Sequence, residues 1–229
     1  MVVKAILFDL DGTIFDISER DAFSRYEALK ELGFQVSYDD VRHHYHFGIG
    51  RMGIVRKLGI DLTKKEIGEY LKARFLSFTK RKNALDLTKI HDGACHTLSV
   101  LSKKHRLVLV TSRNELSSTE EELKWFKIRK FFDLIVTREV AARFYGVTYI
   151  PLFPFSEQRT KLYKYVIEMT KLDPKEMIFV GDSLGELEPA KKLQIRAIGV
   201  LTGFDSKEEM EKVSIPTIQN ITQLPRILS

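Results

Sequence analysis

The sequence predicts an α/β protein in which a parallel sheet is flanked by helices and an all-helical segment is inserted after the first strand. Three observations lead there. Val2–Leu10 is an apolar run that ends in the turn-forming string Asp9-Leu10-Asp11-Gly12-Thr13, as expected of a strand buried on both faces. From Asp16 to about Ile90 the apolar spacing is helical, with no strand signal. From Asp92 onward, short β-rich runs alternate with helix-length segments, which is the pattern of βαβ units.

Each element follows from local chemistry. In the helical segment, Ser18 with Asp21 reads as an N-cap before a face of Ala22, Tyr26, Leu29 and Leu32 that stops at Gly33. Ser37 and Asp40 open a second helix, and Gly48 to Gly50 break it. Arg51–Leu58 is a third helix, ended by Gly59. Thr63 and Glu66 form a capping box before a stripe of Ile67, Tyr70, Leu71, Phe75 and Phe78. Beyond it, helices are expected at Ala94–Lys104, Ser118–Phe126, Thr160–Lys171 and Glu186–Leu193. Strands are expected at Leu107–Val110, Leu134–Val136, Met177–Val180 and Ala197–Val200. The aromatic stretch Val140–Phe155, with Pro151 and Pro154, has no assigned structure, and Trp125 is expected in the core.

At 229 residues the chain fits one large domain, or a medium one with an insertion, since domains run to roughly 150 residues. A hydrophobic content of 44% excludes a disordered chain. The net charge of +6 favours anionic partners, but the basic residues fall in scattered pairs such as Lys64-Lys65, Lys103-Lys104 and Lys191-Lys192, which read as solvated helix faces. A single cysteine, Cys95, suits a reducing compartment. No apolar run approaches the ~18 residues of a membrane span. The opening residues are too short for a signal peptide, so the expected location is the cytoplasm.

In an open parallel sheet, ligands bind at the carboxyl ends of the strands. Asp9 and Asp11 follow the first strand, Thr111 and Ser112 a second, and Gly181-Asp182-Ser183 a later one. Carboxylates so placed repel one another unless a cation holds them. Asp9, Asp182 and Glu186, beside backbone oxygens, suit a hard cation with oxygen ligands, Mg²⁺ being the natural choice. Thr111 or Ser112 is placed to bond a phosphate oxygen, and a lysine would neutralise charge on a transferring group.

These strings resemble the motifs of the haloacid dehalogenase superfamily. Asp9-Leu10-Asp11-Gly12-Thr13 is similar to its first motif, Val108-Leu109-Val110-Thr111-Ser112 to its second, and Gly181-Asp182-Ser183-Leu184-Gly185-Glu186 to its fourth. The order of motifs, with helices inserted after the first, looks like the members with a helical cap, such as phosphoglycolate phosphatases and β-phosphoglucomutase. The resemblance implies a Rossmann-like core (1–15 and 91–229) and a cap (16–90). It also implies a Mg²⁺-dependent phosphatase acting on a small phosphorylated metabolite, as a monomer or homodimer. Asp9 would be the nucleophile and Asp11 the acid and then base. The metal would sit on the Asp9 carboxylate, the Asp11 carbonyl and Asp182, with Glu186 direct or through water. The chain departs from the pattern at the third motif, where no Lys-Pro pair appears and the connection spans Thr137–Thr160. Lys161 is taken as its basic residue, ahead of Lys164 and Arg159, with Arg138 or Arg143 as remoter choices.

Arg51, after Gly50 in the helical segment, is a candidate for a substrate anion. His43 and His46, one helical turn apart, lack the cysteine or acids of a zinc site and read as surface residues. Two other functions compete with a phosphatase. A phosphosugar mutase would return the phosphoryl group to a sugar phosphate, and a non-catalytic module would bind nucleic acid through the +6 charge. A hydrolytic dehalogenase is disfavoured because Asp11 is present. No nucleic acid or membrane partner is expected.

Overall fold

The first apolar run folds as β1 (Ala5–Phe8), whose four side chains are completely buried. The structure, a computed structural model, describes residues 2–46, 48–151 and 154–228. After a turn at Gly12 the chain leaves on β2 (Phe15–Asp16) and forms α1 (Ser18–Glu31), α2 (Tyr38–His44), α3 (Gly53–Lys57), α4 (Lys64–Thr79) and α5 (Arg81–Asp86). It returns on β3 (Lys89–Ile90), which pairs with β2 as a two-stranded ribbon. Alternation follows: α6 (Ala94–Leu101), β4 (Arg106–Val110), α7 (Leu116–Trp125), β5 (Leu134–Val136), α8 (Arg138–Phe144), α9 (Phe155–Thr170) and β6 (Met177–Gly181). The chain ends with α10 (Leu184–Lys192), β7 (Arg196–Val200), α11 (Lys207–Lys212), β8 (Thr217–Ile218) and α12 (Leu224–Ile227).

The main sheet has the order β5-β4-β1-β6-β7-β8, and its pairings are parallel. The chain builds outward from β1 through β4 to β5, crosses back to β6 on the other side of β1, and builds outward again. The direction reverses between β1 and β6, and an open α/β sheet binds ligands beyond the strand ends at such a reversal. Phe8 lies opposite Leu109 and Val180, so Asp9, Thr111 and Asp182 all emerge at that one edge. The fold is therefore α/β, a Rossmann-like parallel sheet with inserted helices. Among the described residues no helix is long and apolar enough to cross a membrane.

The chain divides into two compact units, Met1–Phe15 with Ile90–Ser229, and Asp16–Lys89. The sheet unit has a core of Leu7, Val108, Val110, Phe179, Leu162, Tyr163 and Val166 among others. The helical unit packs Ala22, Ala28, Leu29, Val41, Ile54, Val55, Tyr70 and Ala73. Capping boxes at Ser37/Asp40 and Thr63/Glu66 start α2 and α4.

Several local expectations are corrected. Short strands do occur at the ends of the helical segment, as β2 and β3. Ser18 does not cap α1; its N–H instead donates to Asp16 Oδ1 at 2.9 Å. The buried face of α4 is Tyr70, Ala73 and Ser77, while Phe75 is 54% exposed. The reason is phase: at 100° per residue, position 75 lies about 140° around the helix from position 70. Trp125, the last residue of α7, is 59% exposed, and its neighbour Phe126 takes the inward place, 4.8 Å from the ring of Phe15. The segment Val140–Phe155 contains most of α8 and the first residue of α9; Leu152 and Phe153 lie outside the described residues.

Asp21, the expected cap partner, is a buried acid. Its Oδ2 accepts from Arg25 Nε and Nη2 at 3.1 and 3.0 Å, and its Oδ1 from Arg74 Nε and Nη2 at 3.2 and 2.6 Å. Burial raises its pKa, but the charges and hydrogen bonds of Arg74 and Arg25 outweigh burial and leave it below the ordinary value. A depressed folded pKa contributes stability above the unfolded value of about 4, and that stability is lost as pH falls through the folded value. Asp21→Asn is expected to cost about 3 kcal/mol at pH 7 in urea unfolding, because the buried guanidinium of Arg25 and the half-buried one of Arg74 lose their shared carboxylate. The difference from the parent chain should shrink in acid. An equal difference at every pH would contradict the assignment.

Candidate active site

Asp9 sits one residue past β1, is 3% exposed, and its N–H donates to Val180 O at 2.9 Å. The backbone then turns sharply: Gly12 has a φ of +87°, and Ile14 and Phe15 both donate to Leu10 O at 2.9 Å. Asp182 follows β6, and Glu186 lies in the first turn of α10; both are buried. One carboxylate oxygen from each of Asp9, Asp182 and Glu186 lies within 4.8 Å of the others.

Two glycines press on Asp182. A Cβ on Gly12 would lie 2.3 Å from Asp182 Oδ2, and one on Gly203 would lie 1.8 Å from it. The same oxygen accepts from Phe204 N at 2.8 Å, and Thr202 Oγ1 donates to Gly12 O at 2.6 Å. The loop after β7 thus fixes both the first turn and Asp182. Asp205 on that loop accepts from Leu184 N at 2.5 Å, holding the start of α10 and so Glu186.

The basic residue of the cluster is Arg159, from the second turn of α9. It is 1% exposed; its Nη1 donates to Val110 O at 2.9 Å, and its Nη2 donates to Asp9 Oδ1 at 2.8 Å and to Glu186 Oε1. The structure does not bring Lys161 there. Lys161 points along the exposed side of α9, 3.3 Å from Glu157, and Lys164 is exposed. Position 161 is about 200° around a helix from 159, so one helix cannot aim both inward. Arg138 donates to the carbonyls of Ser112 and Ile150, and Arg143 pairs with Glu139.

Thr111, 2% exposed, follows directly on β4, and its Oγ1 accepts from Arg113 N at 3.3 Å. Ser112 Oγ donates to Gln158 Oε1 at 3.2 Å. The Asp11 carboxylate is outside the three-acid group and pairs with Arg113, a residue that the motif reading passed over. Arg51 lies in the helical unit, where its carbonyl accepts from Arg25 Nη1 at 3.2 Å. His43 and His44 pack ring to ring at 5.0 Å, and the Asp9–Asp182–Glu186 group is the one acid, histidine or cysteine cluster fit for a metal among the described residues. Cys95 is an exposed free thiol.

Burial raises the pKa of Asp9; Arg159 works against that rise and the charge of Asp11 adds to it. Burial, then the charge of Asp9, raises that of Asp182. These acids resist ionising together without a cation. With Asp9, Asp182 and Glu186 ionised, Arg159 offsets one of three negative charges, leaving a deficit that one divalent cation would balance. Glu186 Oε2 is buried without a hydrogen-bond partner. An all-carboxylate donor set with an unused buried oxygen fits a hard cation.

A family model for haloacid dehalogenase-like hydrolases matches residues 3–194. The protein belongs to that family. As a haloacid dehalogenase-like hydrolase it is an enzyme, and its relatives span almost its full length. It is 26% identical over 205 residues to a phosphoglycolate phosphatase of Aquifex aeolicus, covering 88% of this chain and 86% of that one. It is 24% identical over 237 residues to a glyceraldehyde 3-phosphate phosphatase of Methanocaldococcus jannaschii, covering 99% and 97%. A crystal structure from Clostridium difficile shares the fold with a TM-score of 0.80 at 23% identity, each chain covered completely.

Proposed function

We propose that this hydrolase is a Mg²⁺-dependent phosphatase that cleaves a small phosphomonoester through an aspartyl-phosphate on Asp9, in the cytoplasm. The sheet unit would be the catalytic core and Asp16–Lys89 its cap. The observation that carries the reading is the Asp9–Asp182–Glu186 cluster with Arg159, built at the strand ends where the strand order reverses. The names of the Aquifex and Methanocaldococcus relatives support a phosphate ester as substrate.

Asp9, Asp182, Glu186 and the Asp11 carbonyl would hold the metal. Bound there, it would offset charge on Asp9 and on the phosphoryl group and align the two. Asp9 attacks phosphorus; the bond to the leaving oxygen breaks, and that oxygen takes a proton from Asp11. Water then attacks phosphorus and gives its proton to Asp11, and the Asp9–phosphorus bond breaks to release phosphate. Arg159 orients Asp9 through Oδ1. Thr111 and Ser112 bond phosphoryl oxygens.

The test is phosphate release from a panel of phosphorylated metabolites. Release is expected with Mg²⁺, none after exhaustive chelation, and no rescue by Ca²⁺, whose larger shell tolerates a bidentate nucleophile. Full turnover in excess chelator would refute the metal assignment. A mutase would instead release little free phosphate and require an activating bisphosphate.

Gly203→Ala offers a finer check, since its new methyl group must displace Asp182. It is expected to weaken Mg²⁺ binding about 10- to 100-fold, the usual cost of disturbing a ligand's support. Calorimetric titration reads this directly, and unchanged affinity would remove Asp182 from the ligand set.

A further inference from the structure

Both oxygens of Asp11 are held by one guanidinium. Arg113 Nε donates to Oδ2 at 2.9 Å and Nη2 to Oδ1 at 2.7 Å. On its far side, Arg113 Nη1 lies 2.8 Å from Glu122 Oε2, a carboxylate of α7 that is 5% exposed. The Phe15 ring lies 5.9 Å from the guanidinium carbon. Burial alone would make Arg113 easier to deprotonate, but the charges of Asp11 and Glu122 reverse this and hold it as the cation. The backbone N–H of Arg113 donates to Thr111 Oγ1, so the turn that follows β4 also sets the fork. A guanidinium gripped from both sides takes its position from the sheet and α7. The planar fork fixes a carboxylate in orientation as well as distance, which an ammonium cannot do.

We propose that Arg113 is a positioning residue that holds Asp11 in the orientation from which it serves the leaving oxygen, and that Glu122 holds Arg113. This rests on the phosphatase reading above. In the step concerned, the Asp9–phosphorus bond forms, the phosphorus–oxygen bond to the leaving group breaks, and that oxygen takes a proton from Asp11; the ionised Asp11 left behind is the form that the two Arg113 hydrogen bonds hold. A poor leaving group such as an alkoxide needs that proton, whereas a nitrophenolate leaves nearly as well without it. Loss of orientation therefore discriminates between esters, and general structural damage does not.

The experiment measures kcat and KM with Mg²⁺ for the parent enzyme, Arg113→Lys, Arg113→Gln and Glu122→Gln. The substrates are 4-nitrophenyl phosphate and the best alkyl phosphomonoester of the metabolite panel. Both Arg113 variants are expected to lose about 10²-fold in kcat on the alkyl ester, the lower range for a lost proton donor. They should lose less than tenfold on the nitrophenyl ester, with KM within a few-fold on both. Glu122→Gln should show the same preference at smaller size, and it decides the matter if the Arg113 variants do not fold. Equal losses on the two esters, a loss confined to KM, or an Arg113→Lys enzyme as fast as the parent on the alkyl ester would overturn the proposal. A parent enzyme that hydrolyses neither ester overturns the phosphatase reading and this proposal with it. A parent that hydrolyses both, with indifferent variants, overturns the role of Arg113 alone.

Discussion

Asp9→Asn is expected to lower turnover by several orders of magnitude while leaving the fold intact. An amide has the volume of the carboxylate but cannot form the acyl phosphate, and loss of a nucleophile removes the chemical step itself. Stability should move the other way. The folded pKa of Asp9 is raised by burial, so its ionisation destabilises the metal-free protein as pH rises above the ordinary carboxylate range. Metal-free Asp9→Asn should therefore melt no lower than the parent above neutral pH, read by calorimetry alongside turnover. A folded variant that keeps its turnover would remove Asp9 from the nucleophile's place.

The second large effect separates two residues on one helix. Arg159→Ala should reduce kcat by about 10²–10³-fold, the scale of losing one preorganised charge beside a developing one. It should also destabilise the protein by on the order of 3–5 kcal/mol, since Asp9 and Glu186 would be left without their buried cation. Arg159→Lys keeps the charge but cannot reach Val110 O, Asp9 and Glu186 with one planar group, so it should recover stability better than activity. Lys161→Ala should stay within a few-fold of the parent, because Lys161 is part of an exposed i,i+4 pair with Glu157 worth at most about 0.5 kcal/mol. Comparable losses at 159 and 161 would contradict the geometry.

The central strands were legible because a parallel strand buried on both faces is written as an unbroken apolar run; Leu134–Val136 and Met177–Val180 needed nothing else. Elements at the margin left no such trace. β2, β3 and β8 have two residues each, too few to show a period, and α8, α11 and α12 are short helices held by their surroundings. Asp9 and Asp182 could be found from the strand ends they follow, and Glu186 from its place in the helix that starts just beyond Asp182. The motif order favours Lys161 over Arg159, although the sequence carries a signal for Arg159: Arg159, Leu162, Tyr163 and Val166 share one helical face, and all four are buried. An arginine on an otherwise apolar stripe must meet buried acids, whereas Lys161 and Lys164 fall off that stripe. Arg113 had no comparable signal, since its partner Asp11 is 102 residues away and Glu122 joins it only through the packing of α7.

The aspartyl-phosphate is the central claim, and it can be trapped. Turnover with Mg²⁺ and a hydrolysed phosphomonoester is quenched, reduced with borohydride, digested and analysed by mass spectrometry. An acyl phosphate on Asp9 is reduced to homoserine, so the peptide containing β1 should carry homoserine at position 9 only when substrate and Mg²⁺ were both present. Unmodified Asp9 throughout, in samples that release phosphate, would contradict it.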